Sequence, residues 1–363
     1  MKKLCSFLLS VSMTCALIPC FSSCGEKNNT NENDLGTIKN VIVVIGDGMG
    51  ENHIWNAIDY FDLENPAFIN DQIGYIGTNS LSGTTDSAAG GTALATGVKV
   101  PNGNVAQLSG EDLEQITSIA QAAGMKTGII TTDTLDGATP ASFSAHANNR
   151  GAIAHITNTQ ATSGIDLMMG RYSSEYTNRS SLFTDQGYTI LTDEADLEGA
   201  KDAEKLIGLF PHVNSEYILG SKDHFQLSQM TEFAIDYLEN DNGFFLMIEG
   251  AYIDKYSHSN RLYEAMSETR SLFDTIDYLY EYAADGETAI FITADHETGG
   301  LQRNQNNAEP TNALYTSGDH TPVPVPLYVK NYPLHIANFG YDEDATPENT
   351  IVFEACKSII TNK

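Results

Sequence analysis

Positive charge is scarce in this chain. Its 363 residues carry 19 Lys and Arg against 48 Asp and Glu, a formal net charge of −29 at pH 7. Affinity for nucleic acid rests on Lys and Arg neutralising phosphates, and attraction to anionic membrane has the same origin, so neither is expected as a binding partner of this surface. An anionic ligand would need positive charge supplied locally, and bound metal ions are the obvious source. Cysteine is also sparse, with five residues at positions 5, 15, 20, 24 and 356. There is no internal repeat, and no compositional break follows residue 36. The length suits one large α/β domain or two ordinary ones.

The N-terminus holds most of the cysteines. Lys2 and Lys3 open it, and residues 4–17 are mostly apolar but interrupted by Ser and Thr and short for a membrane span. Phe21-Ser22-Ser23-Cys24-Gly25 closes it with small residues before a cysteine, which resembles the lipobox of bacterial lipoproteins. Cys20, beside Pro19, is a poorer candidate. The expectation is a signal peptide over residues 1–23, a lipid on Cys24, and export to the periplasmic or cell-surface side of a membrane. Only Cys356 then remains, so the mature chain forms no internal disulfide. Residues 24–36, rich in Asn, Glu and Asp, read as a flexible tether. Residues 37–363 read as a single domain.

Within that domain, residues 38–45 form a near-continuous β-branched run, the pattern of a central parallel strand buried on both faces. Further strands are expected at 125–130, 165–169, 188–191, 244–248, 288–293 and 323–329. Helices are expected at 51–61, 111–123, 141–147 (opened by Thr139-Pro140), 180–187, 193–206, 226–239, 262–284 and 350–360. The alternation predicts an α/β three-layer sandwich, with a central mostly parallel sheet flanked by helices.

Two features carry chemistry. The first is residues 83–97, where Asp86-Ser87 stands at a helix start followed by Ala88, Ala89, Gly90, Gly91, Ala93 and Ala95. The first turn of a helix presents unpaired N–H groups and a positive dipole end, so an anion fits there within reach of the Ser87 hydroxyl. By itself this pattern also describes an ordinary N-cap. The second is a set of acids at the ends of buried strands: Asp47, Glu249 and Asp295. Ligands of open α/β sheets bind outside the carboxyl ends of the strands, and acids gathered there repel one another unless cations neutralise them. Asp254 and His258 share an i, i+4 spacing, His296 follows Asp295, and His320 sits in a loop before the last strand. Histidine with carboxylate suits zinc, whereas oxygen donors alone suit magnesium.

The joint pattern resembles the alkaline phosphatase family from about Val41 to Val329. The motifs are Gly46-Asp47-Gly48-Met49-Gly50, Thr85-Asp86-Ser87-Ala88-Ala89, Ala138-Thr139-Pro140, Ala145-His146 to Arg150, Glu249-Gly250-Ala251, Ile253-Asp254-Lys255 and Ala294-Asp295-His296. The resemblance implies a metal-dependent phosphomonoesterase acting on small phosphate monoesters at alkaline pH through a covalent phosphoserine. It implies Ser87 as nucleophile, Arg150 as the grip on phosphate, and Asp86 as the acid orienting that arginine. It implies two Zn2+, one on Asp254, His258 and His320 and one on Asp47, Asp295 and His296, and one Mg2+ on Asp47, Thr139 and Glu249. The chain departs from many members at Gly137, where they carry Asp or His; Asp136 is the adjacent acid. A phosphodiesterase of the same superfamily and a non-catalytic metal- or phosphate-binding lipoprotein are the alternative readings. The sequence leaves a homodimer open.

Overall fold

The structure, a computed structural model, describes residues 38–362 except 212, 214, 219–224, 305–310 and 343. The expected signal peptide, Cys24 and the tether lie outside the described residues. Those described belong to one compact unit.

Nine strands form one sheet: β1 (Asn40–Gly46), β2 (Gln72–Ile76), β3 (Lys126–Thr134), β4 (Leu167–Arg171), β5 (Tyr188–Leu191), β6 (Lys205–Phe210), β7 (Phe244–Gly250), β8 (Thr288–Thr293) and β9 (Val325–Lys330). Their order is β2-β9-β8-β1-β7-β3-β4-β6-β5. All pairings from β8 to β5 are parallel, and only β9 runs against its neighbours. Every residue of β1 and β7 is buried, as expected of central strands covered on both faces. Eight of the helices form two packed groups, both against the sheet. Glu51–Tyr60, Leu227–Leu238, Tyr252–His258 and Leu262–Tyr282 make one; Ser87–Thr96, Ile116–Ala122, Ala138–Ser142 and Thr350–Thr361 make the other. Ile153–Ala161 packs on the short helices Ser174–Asn178 and Ser180–Thr184. The architecture is thus the expected α/β sandwich. Among the described residues no helix is long and apolar enough to cross a membrane.

Register brings the functional strand ends level. Ile45 of β1 pairs with Thr293 of β8 on one side and with Glu249 of β7 on the other, and Glu249 pairs with Thr131 of β3. Asp47 and Asp295 follow β1 and β8 by one and two residues, so three acids from distant parts of the chain meet at one sheet edge.

Several local expectations are corrected. The helix expected at 111–123 begins only at Ile116; Glu111–Asp112 instead pairs with Gln107–Leu108 in a small ladder. The helix expected at 141–147 runs Ala138–Ser142. It stops because the Gln115 amide takes the Ser142 and Ala145 carbonyls, and Ala147 bridges to Val105. The helix expected at 193–206 is two 3-10 turns followed by β6, whose Leu206-Ile207-Gly208-Leu209-Phe210 is a short buried apolar run. The edge strand β2 was not anticipated, since Gln-Ile-Gly-Tyr-Ile has a glycine at its centre.

Candidate active site and metal centre

Ser87 is the first residue of the Ser87–Thr96 helix, every residue of which is buried. Asp86 is its N-cap: one carboxylate oxygen accepts from Ala89 N–H at 3.0 Å, and the other accepts from Gly103 N–H at 3.0 Å and from Arg150 at 3.2 Å. One acid therefore both caps the helix and holds the arginine. The small residues permit close packing. A Cβ at Gly90 would lie 2.8 Å from the Asp295 carbonyl, so only glycine lets this helix touch the end of β8. The turn after β1 is equally tight. Gly48 has φ +69°, and a Cβ there would stand 2.7 Å from Thr298 Oγ1.

Ser87 is 4% exposed, and its Oγ lies 3.2 Å from His296 Nε2. The same ring nitrogen is 3.4 Å from Asp47 Oδ1 and 3.2 Å from Asp295 Oδ2. On the other side, Asp254 Oδ1 is 3.4 Å from both His258 Nε2 and His320 Nε2. The His320 and His296 rings stack with centroids 3.5 Å apart. Two sets of donors each converge within 4.8 Å: Asp47, Asp295 and His296, and Asp254, His296 and His320.

Second partners decide which ring nitrogen is free. His258 Nδ1 faces the Gly318 carbonyl at 2.6 Å, and His320 Nδ1 faces the Thr85 carbonyl at 2.8 Å. A carbonyl only accepts, so both Nδ1 atoms donate and both Nε2 atoms carry lone pairs. Those lone pairs confront each other at 3.0 Å beside Asp254, an arrangement that calls for a cation. Thr298 performs the same task for His296. Its hydroxyl donates to Asp254 Oδ1 at 2.5 Å, leaving its oxygen to accept from His296 Nδ1 at 3.1 Å.

The third group is oxygen-only. Glu249 accepts a hydrogen bond from Thr131. Thr139 Oγ1 is buried without a partner, as are Asp47 Oδ1 and Asp295 Oδ2. Buried polar atoms are costly when unpaired, so these orphans, beside mixed nitrogen and oxygen donors, fit the metals that the residue types imply.

The electrostatics agree. Burial, then Asp295, Asp254 and Glu249, pushes the Asp47 carboxyl well above the usual range. Burial, then Asp133, raises Glu249 to about 8, and burial, then Asp254, raises Asp295 to about 6. Burial and then His320 push His296 well below its ordinary value. Burial opposes ionisation of Asp254, but its contacts with His320, His296 and His258 hold its carboxyl below the usual range. Burial would lower His320, yet its contacts with Asp254 outweigh burial and raise the imidazole above its ordinary value.

All the residues expected at the site, Asp47, Asp86, Ser87, Thr139, Arg150, Glu249, Asp254, Asp295, His258, His296 and His320, stand around this sheet edge. Ser87, Arg150, Asp254, His258 and His320 line an open cleft of about 410 Å³, with Thr84, Asn102 and Asp319 at its wall. Sequence reasoning missed Thr131, Thr298 and the Asp133–Lys255 ion pair, 2.5 Å long. Thr131 could have been found from its position at the end of an expected strand; Thr298 gave no signal beyond following His296 by two. Asp136 interacts with Thr134, Ser173 and Tyr176, and with the acid Asp133; its Oδ1 is buried without a hydrogen-bond partner.

Comparison with known proteins comes to the same place. A family model described as alkaline phosphatase matches residues 38–172 and 173–357. Alkaline phosphatase 4 of Bacillus subtilis is 33% identical over 303 residues, covering 76% of this chain and 65% of that protein. The match spans 64% of a second Bacillus subtilis relative, alkaline phosphatase 3, so the chain covers just under two thirds of the length of both. The structure of alkaline phosphatase from the Antarctic bacterium TAB5 superposes with a TM-score of 0.76 at 29% identity, covering 90% of this chain and 98% of that one. A variant of the same Antarctic protein, described with magnesium bound, gives 0.76 at 28% identity, with the same coverage of both chains.

Proposed function

The chain belongs to the alkaline phosphatase family, and from that membership we propose that it hydrolyses small phosphate monoesters to alcohol and inorganic phosphate at alkaline pH, through a phosphoserine on Ser87. The observation that carries this reading is the seryl oxygen at a helix start, 3.2 Å from Nε2 of His296, the residue common to two converging donor sets. A protein that only stored metal or phosphate would need no hydroxyl there.

Asp254, His258 and His320 would hold one Zn2+, and Asp47, Asp295 and His296 the second. Asp47, Thr139 and Glu249 would hold Mg2+. Bound there, these cations would acidify the attacking oxygens and neutralise charge on the departing one. The remaining steps belong to the chain. The helix start and Arg150 bind the dianionic phosphoryl group, with Arg150 held by Asp86 for a planar, two-pronged grip. Ser87 Oγ loses its proton to solvent and attacks phosphorus. The ester P–O bond breaks opposite, and the alcohol leaves with a proton. Water then attacks the phosphoserine, its proton is released, and phosphate departs as Ser87 regains its hydrogen. The cleft is open and polar, so the grip falls on phosphate and not on the alcohol.

The proposal extends to residues 37–363 as one catalytic domain and to location. A lipid on Cys24 would hold it on the periplasmic or cell-surface side of a membrane, and Cys24→Ser would then move the protein from membrane to soluble fractions. If the variant stayed with membranes, that anchor would be wrong.

Hydrolysis of p-nitrophenyl phosphate, with and without chelator, tests the activity. Ser87→Ala should lower turnover by roughly three orders of magnitude or more and abolish trapped phosphoenzyme, with zinc content unchanged. Turnover that survived this substitution would overturn the nucleophile assignment.

A further inference from the structure

The wall of the Asp47–Thr139–Glu249 site has a gap in its sequence and none in its structure. Gly137, two residues before Thr139, has no side chain, yet its backbone (φ −54°, ψ 152°) would accept any residue. Something else fills that space. A Cβ at 137 would lie 2.8 Å from Asp133 Oδ2. The other oxygen of Asp133 pairs with Lys255 Nζ at 2.5 Å. Asp133 is joined to the site through β3. Its N–H donates to Thr131 Oγ1 at 2.9 Å, and Thr131 donates to Glu249. Lys255 is the neighbour of Asp254 on the Tyr252–His258 helix, so the ion pair ties the end of β3 to the helix that carries two zinc candidates. The adjacent acid, Asp136, is engaged with Thr134 and Ser173 and feels the charge of Asp133, and one of its oxygens is buried without a hydrogen-bond partner. Thr139 Oγ1 and Asp47 Oδ1, both buried and without a hydrogen-bond partner, point independently to a ligand between these elements.

We propose that Asp133 is a positioning residue for the divalent cation of this site: from four residues upstream it supplies the carboxylate that position 137 lacks, and Lys255 holds it in place. The inference rests on the three-cation reading above. The cation is magnesium by its oxygen-only donors, and because magnesium keeps several waters, a carboxylate beside it accepts their hydrogens. Residues that orient such ligands typically change metal affinity about 10–100-fold when removed.

The experiment titrates Mg2+ into the zinc-loaded protein by calorimetry, independently of activity. Asp133→Asn should weaken Mg2+ binding about tenfold or more while zinc content stays at the wild-type value; a general loss of structure would remove zinc as well. Gly137→Ala keeps both charges but pushes the carboxylate aside, and should weaken binding in the same direction. The decisive variant moves the acid. In Asp133→Ala with Gly137→Asp the 2.8 Å contact is gone and only the Thr134 carbonyl, 3.0 Å from the new Cβ, has to give, and Mg2+ affinity should rise above that of Asp133→Ala alone. Unchanged affinity in Asp133→Asn, or a relocated acid that binds no better than Asp133→Ala alone, overturns the proposal and leaves the three-cation reading intact. A wild-type protein that takes up no Mg2+ overturns both.

Discussion

His296 has two ring nitrogens with separate tasks, and the division is set by one hydroxyl. Thr298 accepts a hydrogen bond from Nδ1–H and donates one to Asp254, which leaves Nε2 bare toward Ser87, Asp47 and Asp295. Thr298→Val keeps shape and removes both bonds. It should weaken zinc binding about 10–100-fold, read by competition with a chromophoric chelator. Unchanged zinc affinity would mean that the tautomer is fixed some other way. His258 and His320 obtain the same result from carbonyls of Gly318 and Thr85. The acids and imidazoles were legible in the sequence because their types are rare in buried contexts and each falls at a strand end or adjoining loop. Their orienting partners were not, because a carbonyl is present at every residue and a threonine after a strand has many ordinary uses.

At the scale of elements, the Ser87–Thr96 helix is an exception to propensity. Glycine inside a helix costs about 1 kcal/mol relative to alanine, so Gly90→Ala should stabilise a free helix. Here the added carbon would sit 2.8 Å from the Asp295 carbonyl, and overpacking of that kind costs about 1–3 kcal/mol. The clash wins: Gly90→Ala is expected to lower stability by about 1 kcal/mol in urea unfolding and to reduce zinc content, because the displaced backbone carries Asp295. A variant more stable than wild type with full zinc would contradict the packing described. The same contest explains which elements the sequence revealed. β1, β7 and β8 are long apolar runs with nothing to compete with burial. The 138–142 helix was overestimated because its end is decided by the Gln115 side chain, 27 residues from the Ser142 carbonyl it takes. β6 was missed because its apolar run is short and follows a polar stretch that resembles a helix.

At the scale of the molecule, a chain of net charge −29 folds three buried acids into one edge, and without metal this is a liability. Glu249 and Asp295 have folded pKa values of about 8 and about 6, raised first by burial. Unfolded, both titrate near 4, so through them the metal-free folded state binds more protons and their contribution to its stability falls as pH rises from about 4 through about 8. His296 and His53, held below their ordinary values by burial, work the other way up to about pH 6.5, so the chelated protein should lose on the order of 2 kcal/mol between pH 6.5 and pH 8.5 in urea unfolding. The metal-loaded protein, with these acids neutralised, should not. A chelated protein whose stability is flat or rising over that interval would contradict the placement of these carboxylates.

The central claim is that residues from six separate stretches converge at one sheet edge to hold cations around the Ser87 oxygen. Anomalous diffraction at the zinc edge, from crystals of the zinc-loaded protein, tests it most directly. The account predicts two peaks, one among Asp254, His258 and His320 and one among Asp47, Asp295 and His296, flanking Ser87 Oγ. Zinc located away from these side chains, or none in a protein that still forms phosphoserine, would contradict it.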